Sequence, residues 1–291
     1  MSIKHILMPI VAVDDFEPVA VSAMTLAHMF GSHVQFVYQR NGGGEHHHLM
    51  RNFGAVPVSQ FSEILDSHRR DLDSQTQAVR AGLEDLAQRT GITLQATPTS
   101  SVRPSASWHE TYEPITDVIA HAGGVSNLIV VGQPEETHED PAKTMMGAAL
   151  FASGRPVLMI PDEGPIVHDF RVVIGWNRSI QAGRGVSSAL PFLHQASSVV
   201  IVSIATGAKK GPSARELADY LSWHDVEPEV KEVSPNDRQV VGDMLLAEAE
   251  EAGGDLLVMG AYSHSRIREM LWGGVTKHIA SHARLPVLMA H

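Results

Sequence analysis

The sequence predicts an α/β protein made of two doubly wound, five-stranded parallel-sheet domains. Three observations carry this. The chain is written twice: NLIVVG (127–132) corresponds to DLLVMG (255–260), and ASGRPVLMI (152–160) to ASHARLPVLMA (280–290), which share the tetrapeptide PVLM. A repeat this long is no solenoid period and indicates two copies of one domain. Within each copy, short apolar runs alternate with segments of helical periodicity, the pattern of a doubly wound sheet. The 291 residues also exceed what one core usually holds. The boundary falls in PDEGPIVHDF (161–170), rich in proline, glycine and acid, which divides the chain into 1–163 and 164–291.

In the first half, HILMPIVAV (5–13) reads as a strand. Asp14 or Asp15 can cap the next helix, with Pro18 in its first turn and Gly31 ending it. HVQFVYQ (33–39) is the second strand. NGGGEHHHLMRNFGAVP (41–57) is an insertion without a counterpart in the second half, expected to be a mobile surface loop. A long helix follows, with Phe61, Leu65, His68, Leu72, Val79, Leu83 and Leu86 on one stripe. Strands over 92–97, 127–132 and 156–160 complete the set. HETYEPITDVIAHAGG (109–124) reads as an ordinary amphipathic helix with polar surface residues, although it holds His109, Glu110 and His121.

In the second half, RVVIGW (171–176) is a β-branched run suited to a buried parallel strand. Ser179 can cap a helix whose apolar positions Ala182, Val186, Ala189, Leu190 and Leu193 recur at three and four, with Pro191 kinking or shortening its last turn. SVVIVSI (198–204), a helix over 212–223, PEVKEV (228–233), a helix over 237–252, DLLVMG, a glycine loop with its helix, and PVLMA follow. That makes five strands alternating with four helices. The final strands of the two halves, 156–160 and 286–290, are expected to lie near each other, because an apolar edge strand needs covering.

Composition narrows the function. The net charge of −11 argues against broad nucleic-acid binding, since an acidic chain repels phosphate backbones. No apolar run reaches the ~20 residues of a membrane span, and MSIKHILMPI lacks a signal-peptide layout. There is no cysteine, so thiolate chemistry and disulfides are excluded; this fits a cytoplasmic protein. No G-x-S-x-G elbow and no Ser-His-Asp order stands out. Two of the histidines in GEHHHLMR, with Glu45, could reach a metal, but a solvated loop is the preferred reading.

The chemistry concentrates in VMGAYSHSRIREMLWGGVTKHI (258–279). Gly260 ends a strand without a side chain, so an anion could approach the backbone. Gly273 and Gly274 stand where a helix begins, and there free N–H groups and the helix dipole favour an anion. Thr276 could add a hydroxyl, and Ser263, His264, Ser265 and Arg266 lie between. The alternative is that the glycines only shape a tight connection. The stretch is not a Walker loop, since G-K-[ST] is absent.

The order DLLVMGAYSHSRIREMLWGGVTKHIASHARLPVLMA resembles the C-terminal signature of the universal stress protein family, G-x2-G-x9-G-[ST] followed by valine and a helix that ends before a P-V-L strand. VVIGWNRS and RPVLMIP are similar to that family too, so both halves resemble it and the chain looks like a tandem member. The resemblance implies an adenine nucleotide alpha hydrolase-like fold with strand order 3-2-1-4-5, a stress-response or signalling role, and ATP bound and at most slowly hydrolysed, with magnesium as a companion ion. It also implies a nucleotide site. Gly260, Gly273, Val275 and Thr276 would wrap the phosphates, with Ser263 and Gly274 completing the loop. Met259 would sit against the nucleoside. Gly175, Trp176 and Asn177 would lie near the adenine or ribose, and Ser203 and Ile204 would line the base.

Two positions depart from the signature. Ser263 replaces its second glycine, costing about 1 kcal/mol if that position needs a positive φ. Gly274 replaces the hydroxyl residue; a lost hydrogen bond to a phosphate is worth roughly 1.5–3 kcal/mol, or about one to two decades of affinity. Weak ATP binding, one nucleotide per chain, is therefore the expectation. In the first half, VGQPEETHEDPAKTMMGA keeps Gly132, and Gly147 would mark a turn within the final helix. Glu135, Glu136, Glu139 and Asp140 would repel a triphosphate, while Pro134 and Pro141 remove donors. That half reads as scaffold. A nucleotide-free interaction scaffold and a slow ATPase remain as alternatives for the whole chain, and a homodimer is expected. No catalytic residue is named.

Overall fold

The structure, a computed structural model, describes residues 2–11, 16–40, 58–95, 104–135, 140–205, 211–234, 240–261 and 274–291. The elements of the first half are β1 (His5–Ile10), α1 (Phe16–Phe30), β2 (His33–Gln39), α2 (Val58–Thr90), β3 (Thr93–Leu94), β4 (Ser105–Thr111), α3 (Ile115–Gly123), β5 (Leu128–Gly132), α4 (Pro141–Ala152) and β6 (Val157–Ile160). Those of the second are β7 (Arg171–Gly175), α5 (Ile180–Leu193), β8 (Ser198–Ile204), α6 (Ala214–Ser222), β9 (Glu229–Val233), α7 (Val241–Glu251), β10 (Leu256–Gly260), α8 (Gly274–His282) and β11 (Val287–Ala290).

The strands follow one another as β3-β4-β2-β1-β5-β6-β11-β10-β7-β8-β9. The second half thus runs β9-β8-β7-β10-β11, the expected 3-2-1-4-5 order, and the first half repeats it with β4 in third place. Every pairing is parallel except β6 with β11, which pair antiparallel with Leu158 opposite Leu288. The two final strands therefore meet, as expected. They also fuse the six strands of the first half and the five of the second into one eleven-stranded sheet, which the reading of separate sheets did not include. The cause is local. VLMI and VLMA are wholly buried edges, and each leaves a row of unpaired backbone groups that only another strand can satisfy.

Two further expectations are corrected. The third strand of the first half is not 92–97: Thr93–Leu94 is a two-residue edge, and Ser105–Thr111 takes the central place. Within 109–124, His109 and Glu110 belong to β4, and only the part from Ile115 is helical. SASWHET is a polar sequence for a central strand. Its serines are buried, however, and both hydroxyls meet the His33 ring, Ser105 at Nδ1 and Ser107 at Nε2, each at 2.9 Å. Gly147 lies within the last helix of the first half, α4, where the sequence placed it. The insertion 41–57 and the capping choice between Asp14 and Asp15 lie outside the described residues, as do the side chains of Phe61, Leu65 and His68. Val79, Leu83 and Leu86 are buried as the stripe required.

A core lies on each face of the sheet. One packs α1, α2, α5 and α6, and it crosses between the halves where Phe30 meets Phe192 edge-on at 5.1 Å. The linker joins it through Ile166 and Phe170, and the Ile166 N–H donates to Ser22 Oγ. The other packs α3, α4, α7 and α8. Here Gln133, just past β5, donates its amide to the carbonyls of Ala280 and Ala283, each at 3.0 Å. The first half thereby caps the carboxyl end of α8, where carbonyls lack helical partners.

At the amino edge of the sheet, His5 stacks on His33 at 5.8 Å, and its Nδ1 meets Ser126 Oγ at 3.1 Å. Burial holds both imidazoles below their ordinary 6.5, and His5 and His109 lower His33 further. A pKa depressed by folding means that the unfolded chain binds more protons below about pH 6.5. The stability these groups carry is therefore complete above that pH and declines on acidification. The melting temperature should fall between pH 7.5 and pH 5, and His33→Gln, which keeps a partner for the serines, should flatten that slope. An identical slope in the variant would contradict the assignment.

Candidate functional site

β7 and β10 are neighbours in register, Met259 opposite Gly175. The helix leaving β7, α5, packs into one core through Ala182 and Val186. The helix following β10, α8, packs into the other through Ile279 and Ala280. The crevice beyond Gly175 and Gly260 is thus a topological switch point, the usual ligand position in such sheets. Two helix amino ends open there, one from each face.

The residues around it do unequal things. Trp176 is buried, and its indole N–H donates to the Pro212 carbonyl at 2.9 Å, so only its ring is presented. The Asn177 side chain can both donate and accept. Its Oδ1 accepts from the Ser179 N–H at 3.1 Å, which leaves its amide group to donate. This clasp holds Arg178 at a φ of 62°, a left-handed bend at the strand exit. Ser179 then caps α5, accepting from the Ala182 N–H at 3.1 Å. Ser203 is buried on the α5 face of β8, and Ile204 packs toward the other core.

Gly260 has a role that differs from an open phosphate approach. A Cβ there would come within 2.3 Å of Ala182 N and 2.5 Å of the Gln181 carbonyl carbon. The space left by the missing side chain is filled by the first turn of α5. Gly185 repeats the device from the helix side, where a Cβ would meet the Met259 carbonyl oxygen at 2.8 Å. These glycines let α5 lie directly on β10, which the composition of the loop alone did not distinguish from a ligand cradle.

α8 begins at Gly274, where a Cβ would meet nothing within 4 Å among the described residues. Val275 packs on the adjacent core, Thr276 is buried, and no acidic residue stands in the first turn. Ser263 and Gly273 lie outside the described residues. No group of three or more potential metal ligands gathers among the described residues.

The corresponding place in the first half is already occupied. Asp140 caps α4: one carboxylate oxygen accepts from the Ala142 N–H at 2.8 Å and the other from the Glu135 N–H at 2.6 Å. An internal anion sits where an external one would bind. Asp-Pro at 140–141 is a readable start signal, an N-cap followed by proline at the first helical position. It was counted as repulsive charge instead. Glu136 and Glu139 lie outside the described residues.

Two glycines of the loop should therefore respond oppositely to substitution. Gly260→Ala should cost about 3 kcal/mol, the upper range of overpacking, because backbone rather than a flexible side chain fills the space. Gly274→Ala should leave stability within about 0.5 kcal/mol of the parent. Chemical denaturation checks both, and a well-tolerated Gly260→Ala would contradict the packing described.

Comparison with known proteins follows the same lines. Across the whole chain, a universal stress protein from Archaeoglobus fulgidus DSM 4304 superposes with a TM-score of 0.67 at 14% identity, covering 98% of this chain and 97% of that one. A functionally unknown protein from Pseudomonas aeruginosa PAO1 superposes with a TM-score of 0.57 at 13% identity, covering 99% and 92%. At these identities the likeness is one of fold. No curated protein matches the chain. The sequence model of the universal stress protein family matches residues 201–291, the segment from β8 through the glycine loop to β11. That C-terminal segment matches the universal stress protein family model, within a fold that solved structures share over nearly the whole chain.

Proposed function

We propose that this is a stress-response or signalling protein of two repeats, 1–163 and 164–291, that binds one adenine nucleotide, ATP, at the switch point of its second repeat, without fast catalysis. The family of residues 201–291 supports nucleotide binding. The observation that carries the choice of half is the contrast between two equivalent helix starts. Asp140 closes the amino end of α4, whereas a Cβ at Gly274 of α8 would meet nothing within 4 Å among the described residues and no acid stands in that helix's first turn. A phosphate there would gain the N–H groups and dipole of α8, and the Asn177 amide and Trp176 ring would face the nucleoside. Any magnesium would travel with the phosphates. No nucleophile or general base is assigned.

A second reading is favoured by Gly260. Because α5 fills its open side, the signature glycine is needed for folding whether or not a ligand binds. A nucleotide-free scaffold would keep it for that reason alone.

Calorimetric titration with ATP distinguishes the two. The nucleotide reading expects a stoichiometry near one. It expects Gly274→Asp, a carboxylate at the helix start, to weaken binding at least tenfold. Gly132→Ala, whose new methyl would find its nearest neighbour at 3.4 Å, should leave binding unchanged. Two equivalents per chain would refute the asymmetry, and no binding at millimolar ATP would favour the scaffold.

A further inference from the structure

Gln133 and Ala261 hold equivalent places in the two halves. Each follows the glycine that ends its strand, Gly132 of β5 and Gly260 of β10. Each N–H donates to the neighbouring final strand, Gln133 to the Ile160 carbonyl at 2.9 Å and Ala261 to the Ala290 carbonyl at 2.8 Å. The side chains differ in reach. The Gln133 amide carries two N–H groups, and both are spent on the other half, on the carbonyls of Ala280 and Ala283. Ala261 has only a buried methyl and returns nothing to α4. α4 closes its own end instead: the Ser153 hydroxyl donates to the Ala149 carbonyl and accepts from the Arg155 N–H.

The clasp thus runs one way. It goes from the half whose helix start is filled by Asp140 to the half whose helix has no acid in its first turn. α8 is only nine residues long. A helix so short is marginal by itself and takes its order from tertiary contacts. Its middle is held by α7, where Asp243 Oδ1 lies 2.6 Å from His278 Nε2 and Gly242 leaves room for the His278 ring. Ile279 and Ala280 pack into the core. Its carboxyl end is held by Gln133. From Ala280 back to Gly274 the helix spans about 9 Å, so the clasp and the free N–H groups of the first turn belong to one short rigid element.

We propose that Gln133 is a positioning residue for the nucleotide site of the other half: by fixing the carboxyl end of α8 it keeps the N–H groups of that helix's first turn aligned for a phosphate. The inference rests on the nucleotide reading above. It gives the first half a part in the site without a nucleotide of its own.

The test combines calorimetric titration of ATP into the full chain with amide hydrogen exchange of the ligand-free chain. The amides of His278 and Ile279 report on the first turn, because in an α-helix they bond back to Gly274 and Val275. Gln133→Met keeps the length of the side chain and removes both donors. It should weaken ATP at least fivefold and speed exchange at His278 and Ile279 at least fivefold, with α5 exchanging at parental rates. Gln133→Lys places an ammonium donor at the same carbonyls, on the negative end of the helix, and should restore both readouts to within twofold of the parent. Arg155→Met removes a comparable bond, from Arg155 Nη2 to the Gly124 carbonyl, and controls for a general loss of stability. It should leave ATP affinity and α8 exchange unchanged. Parental affinity in Gln133→Met, faster exchange confined to Ala283, equal weakening in Arg155→Met, or failure of lysine to restore binding would overturn this inference alone. Absence of ATP binding by the parent chain would overturn the nucleotide reading and this inference with it.

Discussion

The antiparallel pairing of β6 with β11 is the constraint on which the rest of the architecture depends. Both strands are short, apolar and completely buried, and neither can be left as a free edge. Pairing them joins the two halves edge to edge, brings α1 against α5 and lets Gln133 reach the last turn of α8. The edge used within the chain is then not available for joining two chains, and the outer edges of the sheet are β3 and β9.

Much of this was legible in the sequence because the second half obeys its local rules. β7, β8 and β10 are apolar runs, Ser179 caps α5, and the α5 stripe is buried at Ala182, Val186, Ala189 and Leu193. Pro191 sits inside α5 in its last turn, where the helix has little further to run. The first half was less legible where polar side chains do buried work. β4 hides Ser105 and Ser107 by bonding them to His33, an arrangement set by tertiary pairing that no periodicity reveals. The same holds for the fusion of the sheets: a repeated PVLM suggests a shared edge, but only the geometry says that the two edges bond to each other.

The candidate site shows a different limit. Gly260 and Gly274 look alike in sequence, as glycines around a loop that resembles a phosphate cradle. One is a contact between backbones, and at the other a Cβ would meet nothing within 4 Å among the described residues. Asp140 looked like repulsive charge and is in fact a cap whose carboxylate occupies the equivalent seat. The two halves differ at these helix starts while sharing one strand order in the sheet that holds them. Asn177 illustrates the same economy, since its carbonyl oxygen orders the turn and its amide remains for a partner.

The central claim, that an anion seat closed in one half is open in the other, is tested most directly by photolabelling the intact chain with 8-azido-ATP and mapping the labelled peptides. The account predicts label in peptides from the strand ends of the second half, around Trp176–Asn177, Ser203–Ile204 or Met259–Thr276, competed away by ATP. Label in peptides spanning Gly132–Ala152, or equal label in both halves, would contradict it.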